Sequence, residues 1–312
     1  MDNQQYKSKL YYSCKDTYSK EWNVIAPAPA KIMFELTNVC NHRCFFCANS
    51  VMKRKAGYMK GEVFRHIAKE ALNLGVKELA LYTTGESLLH PEIVEFTKTA
   101  KEIGFTYVYL SSNAVLLNAQ ISRGLIEAGL DSLRISINAG SKESYRRIHG
   151  SDDFEKVIKN IKMYDEIRKR LKKNTLLSAS CVLTKFTESE KENLERSLKP
   201  YVDAIKWTDV RVQGGKMIEV IQKSSVRSDD PRNCLKPCGL LWNGMHVDYE
   251  GNLTLCCVDF DGVMTVGNIL KQGLMECWNG PLMQEQRRLH LTRALEPQSL
   301  CYRCLTGTNH ST

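Results

Sequence analysis

The sequence predicts an α/β chain, a parallel sheet covered by helices, followed by a small cysteine-rich segment. Three observations carry that expectation. Between about residues 31 and 213, strand-like and helix-like stretches alternate as six β/α units. Helix stop residues punctuate them. After Gly214-Gly215 the text turns to a Lys/Ser/Arg/Asp-rich tract and then to cysteine-bearing, ribbon-like sequence. The alternation allows either a doubly wound sheet or one curled into a barrel.

The elements follow in order. Lys31 to Thr37 reads as a strand, then a helix from about Lys60 to Leu74 closes at Gly75. Glu78 to Thr83 is strand, and Pro91 to Ile103 is helix with Pro in its first turn and Gly104 past its end. Thr106 to Ser111 is strand, Asn118 to Ala128 helix, and Ser132 to Asn138 strand. Helices over Lys142 to Ile148 and Phe154 to Lys172 precede a strand at Leu176 to Thr184, a helix at Glu188 to Leu198 and a strand at Ala204 to Val212. GMHVDYEGNLTLCC alternates around Glu250-Gly251-Asn252 as a two-stranded ribbon should. The expected division is an extension over 1–30, a barrel over 31–215, a linker over 216–233 and a cysteine-rich domain over 234–312.

With 43% hydrophobic and 25% charged residues among 312, the chain is neither collagen-like nor disordered and can bury a core. Its apolar stretches fall short of the roughly 20 residues a membrane helix needs, and the first thirty residues lack a signal-peptide core, so a cytoplasmic protein is expected. The formal charge of +9 suits either an anionic partner or a lysine-rich solvated surface. No run of interleaved basic and aromatic residues marks a nucleic-acid surface, so no such partner is expected.

Twelve cysteines without an export signal point away from disulfides and toward metal or catalysis. Cys40, Cys44 and Cys47 form C-x3-C-x2-C. Cys234, Cys238, Cys256, Cys257, Cys301 and Cys304 form a later group, whereas Cys14, Cys181 and Cys277 read as structural thiols. Three thiolates in one short loop leave a metal site with an open corner, as a [4Fe–4S] cluster with one unligated iron would have. A zinc loop completed by His42 or His66 is the alternative. In parallel α/β folds catalytic groups gather at the carboxyl ends of the strands. The unusual polar groups fall there: the cysteine triad after strand one, Thr84-Gly85-Glu86 after strand two, Ser111-Ser112-Asn113 at the end of strand three, Ser136 and Asn138 at strand four, and Arg211 and Gln213 at strand six.

TNVCNHRCFFC, with Phe46 before the last cysteine, resembles the signature loop of the radical S-adenosylmethionine (SAM) superfamily, and the resemblance runs over about residues 31–213. TTGESLLHPE resembles the family's GGEPLLHPE-type segment, with Thr84 for the first glycine and Ser87 for the proline. The resemblance implies a partial (β/α)6 TIM-like barrel. It also implies a cluster held by Cys40, Cys44 and Cys47, and a SAM whose methionyl ammonium meets the backbone and glutamate of Thr84-Gly85-Glu86. Phe46, Ser111, Ser112, Asn113, Ser136 and Asn138 would be further cofactor contacts. The family's chemistry is reductive cleavage of SAM to a 5′-deoxyadenosyl radical that takes a hydrogen atom from an unactivated C–H bond. A low-potential donor such as flavodoxin or ferredoxin supplies the electron.

Cys238, Gly251 and Cys256 resemble the opening of SPASM and Twitch auxiliary-cluster domains, with Cys301-Cys304 completing a four-thiolate set. One auxiliary [4Fe–4S] cluster is expected on Cys238, Cys256, Cys301 and Cys304, in the Twitch form because the chain ends eight residues later. Cys234 and Cys257 compete for a place, and a zinc ribbon is the alternative reading of the spacing. Similarity to aminocyclitol and sugar dehydrogenases implies alcohol oxidation, the auxiliary cluster taking the second electron. Epimerisation, dehydration or deamination of a sugar is the nearest alternative, and modification of a peptide or protein the next. The short stretch before strand one argues against a leader-binding domain and for a small polar substrate. Strand parity puts Arg134 with Ser136 and Asn138, and Arg211 with Asp209 and Gln213, on single faces. Arg211, Arg134 and Glu35 are the substrate-side candidates, each weighed against a buried ion pair. His246 and Asp248 lie on the ribbon and read as surface residues, with support of the auxiliary cluster's ligands as the alternative.

Overall fold

The computed structural model describes residues 22–226 and 236–306. Cys14 and Cys234 lie outside them. The six expected strands form as β1 (Lys31–Phe34), β2 (Glu78–Ala80), β3 (Tyr107–Ser112), β4 (Ser132–Ser136), β5 (Leu176–Leu183) and β6 (Ala204–Asp209). Each pairs in parallel with the next. Helices α1 (Gly61–Asn73), α2 (Ile93–Ile103), α3 (Ala119–Glu127), α4 (Lys142–His149), α5 (Phe154–Arg170) and α6 (Lys191–Leu198) alternate with them. Because the strands follow one another in sequence order, with no switch point, the sheet winds one way as a barrel rather than both ways.

Local chemistry sets the boundaries. Gly104 ends α2 in the left-handed region at φ 119°, and the Asn118 side chain accepts the Ile121 N–H at 2.9 Å to start α3. Pro91, expected inside α2, lies in the turn before it, and α2 begins at Ile93. The core comes from the strand faces, Ile32, Phe34, Val108, Leu110, Leu133 and Ile135 being fully buried. Strands β2 and β6 end earlier than the pattern suggests, because the residues that follow leave the ladder to build the rim.

The later ribbon is not a separate sheet. Strand β7 (Gly244–Val247) pairs in parallel with β1, from Lys31 opposite Gly244 to Phe34 opposite Val247. Strands β8 (Asn252–Thr254) and β9 (Thr265–Asn268) follow antiparallel, giving the order β6-β5-β4-β3-β2-β1-β7-β8-β9. β1 would otherwise end the barrel as an open edge, and β7 supplies its missing ladder. The β7–β8 turn is held by Asp248 Oδ1, which accepts the N–H groups of Glu250 and Asn252, both at 2.9 Å, with Gly251 at φ +82°. β6 and β9 remain edges, so the barrel is partial.

Short helices complete the chain: α7 (Ile218–Ser224), α8 (Leu240–Asn243), α9 (Ile269–Gln272), α10 (Leu274–Trp278), α11 (Pro281–Leu291) and α12 (Leu300–Thr306). Arg287 on α11 has no exposed surface. Its guanidinium donates to the carbonyls of Leu241 (3.0 Å) and Val24 (2.9 Å) and to Asn279 Oδ1 (2.8 Å), tying the segment before β1 to the cysteine-rich part. Among the described residues no helix is long and apolar enough to cross a membrane.

Candidate metal and cofactor centre

The first cysteine loop leaves β1 at the carboxyl end of the barrel and is pinned from three sides. Asn49 Nδ2 donates to the carbonyls of Asn38 (2.8 Å) and Thr84 (3.1 Å), Gln213 Oε1 accepts the Ala48 N–H at 2.9 Å, and the Arg43 and Phe45 N–H groups donate to the carbonyls of His149 (3.1 Å) and Ile148 (3.0 Å). Burial pushes the Cys40 thiol up to about 12, with the charges of Glu86 and Cys47 adding to it. Burial raises Cys44 and Cys47 as well, and Cys44 feels both other thiols. Three clustered, desolvated thiols at one rim suit a cationic iron centre, which would stabilise their thiolates. Phe46 is buried, edge-on to Phe45 at 5.2 Å.

Thr84-Gly85-Glu86 passes directly beneath this loop. A Cβ on Gly85 would meet the Thr37 carbonyl oxygen at 2.3 Å and that of Val39 at 2.6 Å, and the Glu86 N–H donates to Val39 O at 2.8 Å. Only glycine allows that approach. The Glu86 side chain turns to β3: its carboxylate accepts from Ser112 Oγ (2.8 Å), the Asn113 N–H (2.7 Å) and the Leu88 N–H (3.0 Å). Burial raises its carboxyl above the usual range in spite of those bonds. Asn113 Nδ2 reaches back to Asn41 Oδ1 in the cysteine loop at 2.7 Å. Glu86, Ser112 and Asn113 therefore brace the loop.

Arg134 Nε donates to Ser111 Oγ at 3.2 Å, Ser111 faces Ser136 at 3.5 Å, and the guanidinium lies 4.8 Å from the Tyr82 ring centre, so these residues meet at the rim as strand parity suggests. Asn138 is engaged with β5 and α4: its Oδ1 accepts the Val182 N–H at 2.7 Å, and its own N–H faces His149. Arg211 is exposed, past the end of β6. Glu35 is 3% exposed and lies in an ion pair, Arg54 Nη2 standing 2.5 Å from its Oε2, which also accepts from Thr84 Oγ1. No sequence signal marked Arg54, which belongs to a KRK tract that reads as solvated charge. His246 and Asp248, expected at the surface, are buried at 1% and 5% exposure, because β7 is an interior strand.

Cys238, Cys256, Cys301 and Cys304 line one cavity of about 30 Å³ whose remaining wall is largely leucine. Cys256 is raised well above the usual thiol range by its hydrogen bond to Cys257 and by burial, with the charges of Cys238 and Cys304 contributing, and Cys301 is pushed up to about 12 by burial and Cys304. Four gathered thiols in an apolar pocket fit a closed four-thiolate centre. Cys257 lines a different cavity, shared with Glu35, Arg54, Thr83, His246 and Asp259, with room for about one water at about 10 Å³. Glu35 Oε1, Thr83 Oγ1 and both His246 ring nitrogens are buried there without a hydrogen-bond partner among the described residues. Cys181 and Cys277 are buried elsewhere, Cys181 on β5 and Cys277 on α10.

Comparison with known proteins identifies the two cysteine-bearing regions by family. Residues 238–305 match the SPASM profile, an iron-sulfur cluster-binding domain. A probable GTP 3′,8-cyclase of Saccharolobus islandicus (strain M.14.25 / Kamchatka #1) is 35% identical over 127 residues, 41% of this chain and 41% of that protein. That of Sulfurisphaera tokodaii is 31% identical over 159 residues, 51% and 49% of the two chains. The chain thus spans about two fifths to a half of the length of these curated relatives. Among solved structures, BtrN in complex with AdoMet and 2-DOIA aligns over 92% of this chain and 96% of its own with TM-score 0.60 at 20% identity. Streptococcus suis SuiB bound to precursor peptide SuiA aligns over 91% and 76% with TM-score 0.68 at 14% identity. These two share the fold. Residues 34–196, over half of the chain, match the Radical SAM superfamily profile, and the protein belongs to that superfamily, with SAM and a [4Fe–4S] cluster as cofactors and a SPASM-type domain for auxiliary iron–sulfur.

Proposed function

We propose that this enzyme oxidises a hydroxyl of a small polar substrate, a sugar, nucleotide sugar or aminocyclitol, to a ketone. The observation that carries the reading is the cavity lined by Glu35, Thr83 and Thr84 together with Cys256 and Cys257, in which Glu35, Thr83 and His246 have unpartnered atoms that substrate hydroxyls would satisfy. As it stands the cavity takes about one water, so a sugar enters only as the residues that line it move apart.

In this reading Cys40, Cys44 and Cys47 hold the SAM cluster and Cys238, Cys256, Cys301 and Cys304 the auxiliary one. When bound, the first cluster and SAM supply the hydrogen-abstracting chemistry, and the second cluster accepts an electron. The residues supply position. Gly85 lets the backbone of the turn approach the methionyl ammonium, a task its neighbour Glu86 leaves to that backbone because its own carboxylate is bound to β3. Arg134, held by Ser111 and Tyr82, brings a cation to the rim for a carboxylate, and Ser136, Asn138 and Phe46 are further cofactor contacts. Glu35 Oε1, the oxygen not engaged by Arg54 or Thr84, takes the hydroxyl proton as the substrate is oxidised. Arg211, exposed beyond β6, meets an anionic part of a larger substrate. A low-potential flavodoxin or ferredoxin in the cytoplasm provides the electron for each SAM cleaved.

Cys257 favours a second reading, epimerisation. Its thiol lines the polar cavity. It would give a hydrogen atom to the substrate carbon radical, after which one electron and one proton restore the thiol. Anaerobic incubation with SAM, dithionite and a pool of sugars, nucleotide sugars and GTP in D₂O separates the outcomes. A two-dalton loss on a sugar supports oxidation, a one-dalton gain abolished by Cys257→Ser supports epimerisation, and turnover of GTP alone, as the names of the curated relatives suggest for them, overturns the sugar reading.

A further inference from the structure

Helix α4 ends in His149, buried at 1% exposure beside the first cysteine loop. Its Nε2 receives the backbone N–H of Asn138 at 3.3 Å. A peptide N–H is only a donor, so Nε2 is the unprotonated nitrogen of the ring. The Asn138 side chain agrees: its Oδ1 is taken by the Val182 N–H at 2.7 Å, which turns its Nδ2 toward the same Nε2 at 3.5 Å. The proton of the neutral imidazole therefore lies on Nδ1, which stands 3.3 Å from Cys44 Sγ. The ring is clamped in that position, stacked on Tyr145 at 4.2 Å, while the His149 and Ile148 carbonyls accept the Arg43 and Phe45 N–H groups of the cysteine loop.

The second group of thiols has a histidine beside it too, fixed in the same way by a backbone amide. His290 on α11 is 1% exposed, and its Nδ1 receives the Cys238 N–H at 3.2 Å. Its proton is therefore on Nε2, a buried atom with no hydrogen-bond partner among the described residues, on a ring that lines the cavity of Cys238, Cys256, Cys301 and Cys304.

We propose that His149 and His290 are paired N–H···S donors, one to each iron–sulfur cluster, whose tautomers are set by backbone amides and whose role is to raise the reduction potential of the cluster each one touches. The proposal rests on the ligand sets given above. A donor at a cluster sulfur stabilises the reduced, more negative state, and hydrogen bonds to sulfur are among the factors that set such potentials. Both histidines are positioning residues. They act through a ligating sulfur, and a neutral N–H does so without a change of protonation.

The test uses the full chain, reconstituted anaerobically and labelled with ¹⁵N-histidine, with redox titration and pulsed EPR of each reduced cluster. His149→Phe should shift only the SAM-cluster potential to more negative values, and His290→Phe only the auxiliary one, each with iron content unchanged. His149→Gln, which keeps an N–H in reach, should restore part of the shift. In the wild-type chain, which needs no variant to fold, each cluster should show a weak ¹⁵N coupling with an exchangeable proton. Unmoved potentials at full iron content would overturn the proposal, as would absence of that coupling. So would a coupling of directly bonded strength at the first cluster, since His42, Cys44 and His149 place ligand atoms within 4.8 Å of one another and direct coordination is the competing geometry. Failure of the ligand assignment looks different: Cys44→Ala would then keep its iron.

Discussion

Arg54 and Glu35 form a buried ion pair, Nη2 to Oε2 at 2.5 Å, that joins the end of β1 to the ribbon. The same guanidinium donates from Nε to the Phe260 carbonyl at 2.8 Å and faces Asp248 at 3.6 Å, so one side chain ties barrel, β7 and the loop after Cys256–Cys257 together. Arg54→Met strands the Glu35 carboxylate, and removing one partner of a buried pair costs about 3–5 kcal/mol. The expected outcome is a large fall in the denaturation midpoint, with part of the loss recovered in the Arg54→Met/Glu35→Gln double variant. Additive losses in that cycle would show that the pair is not coupled.

Gly85 should tolerate no side chain. Its Cβ would collide with backbone oxygens at 2.3 and 2.6 Å, and neither can rotate away. Gly85→Ala is expected to cost about 1–3 kcal/mol or more and to weaken SAM binding in equilibrium dialysis. Binding equal to wild type would argue that the turn beneath the cysteine loop does not meet the cofactor.

Glu190 gives a pH dependence with a definite sign. Burial works against its charge, yet hydrogen bonds from Ser144 Oγ (2.5 Å), Ser141 Oγ (2.7 Å) and the Gly140 N–H (2.8 Å) outweigh it and hold the carboxyl below its ordinary value. A depressed carboxyl stabilises the fold above its unfolded pKa, and the contribution is lost as pH falls through the folded pKa. Glu190→Gln should therefore be less stable than wild type at neutral pH, with the gap closing under acid. A constant gap in melting temperature across that range would contradict this.

Arg287 donates from Nε and Nη1 to carbonyl oxygens only, and burial draws its guanidinium down to about 10. Arg287→Met takes that donor from the buried carbonyls of Leu241 and Val24, at about 1–3 kcal/mol for each one left without a partner, while Asn279 Oδ1 keeps the Ala26 N–H. Urea denaturation should show a marked loss of stability, smaller in Arg287→Lys. An unchanged midpoint would mean that the knot between residues 22–28 and α11 contributes little.

The barrel was legible because its information is local. Buried apolar faces, the glycines past α1 to α3 and the Asn118 cap each announce themselves within a few residues, and the polar rim follows from knowing where strands end. Pairing across the chain was not legible. Nothing in GMHV says that it will lie beside KIMF some two hundred residues earlier, so His246 and Asp248 read as surface although β7 buries them. That Cys256 lines both cavities and Cys257 only the one beside Glu35 also depends on tertiary placement. Arg54 and His149 were missed for a related reason: an arginine in a KRK tract and a histidine before a glycine look solvated until β1 and the cysteine loop are folded against them.

The central claim, that two separate thiol groups each hold an iron–sulfur cluster, is tested most directly by iron analysis of anaerobically reconstituted protein. Wild type is expected to hold about eight irons per chain. The Cys40, Cys44, Cys47 triple alanine variant and the Cys238, Cys256, Cys301, Cys304 quadruple variant should each lose half and keep the spectrum of the other cluster. Stoichiometric zinc without iron, or a triple variant with the full iron content, would contradict the account.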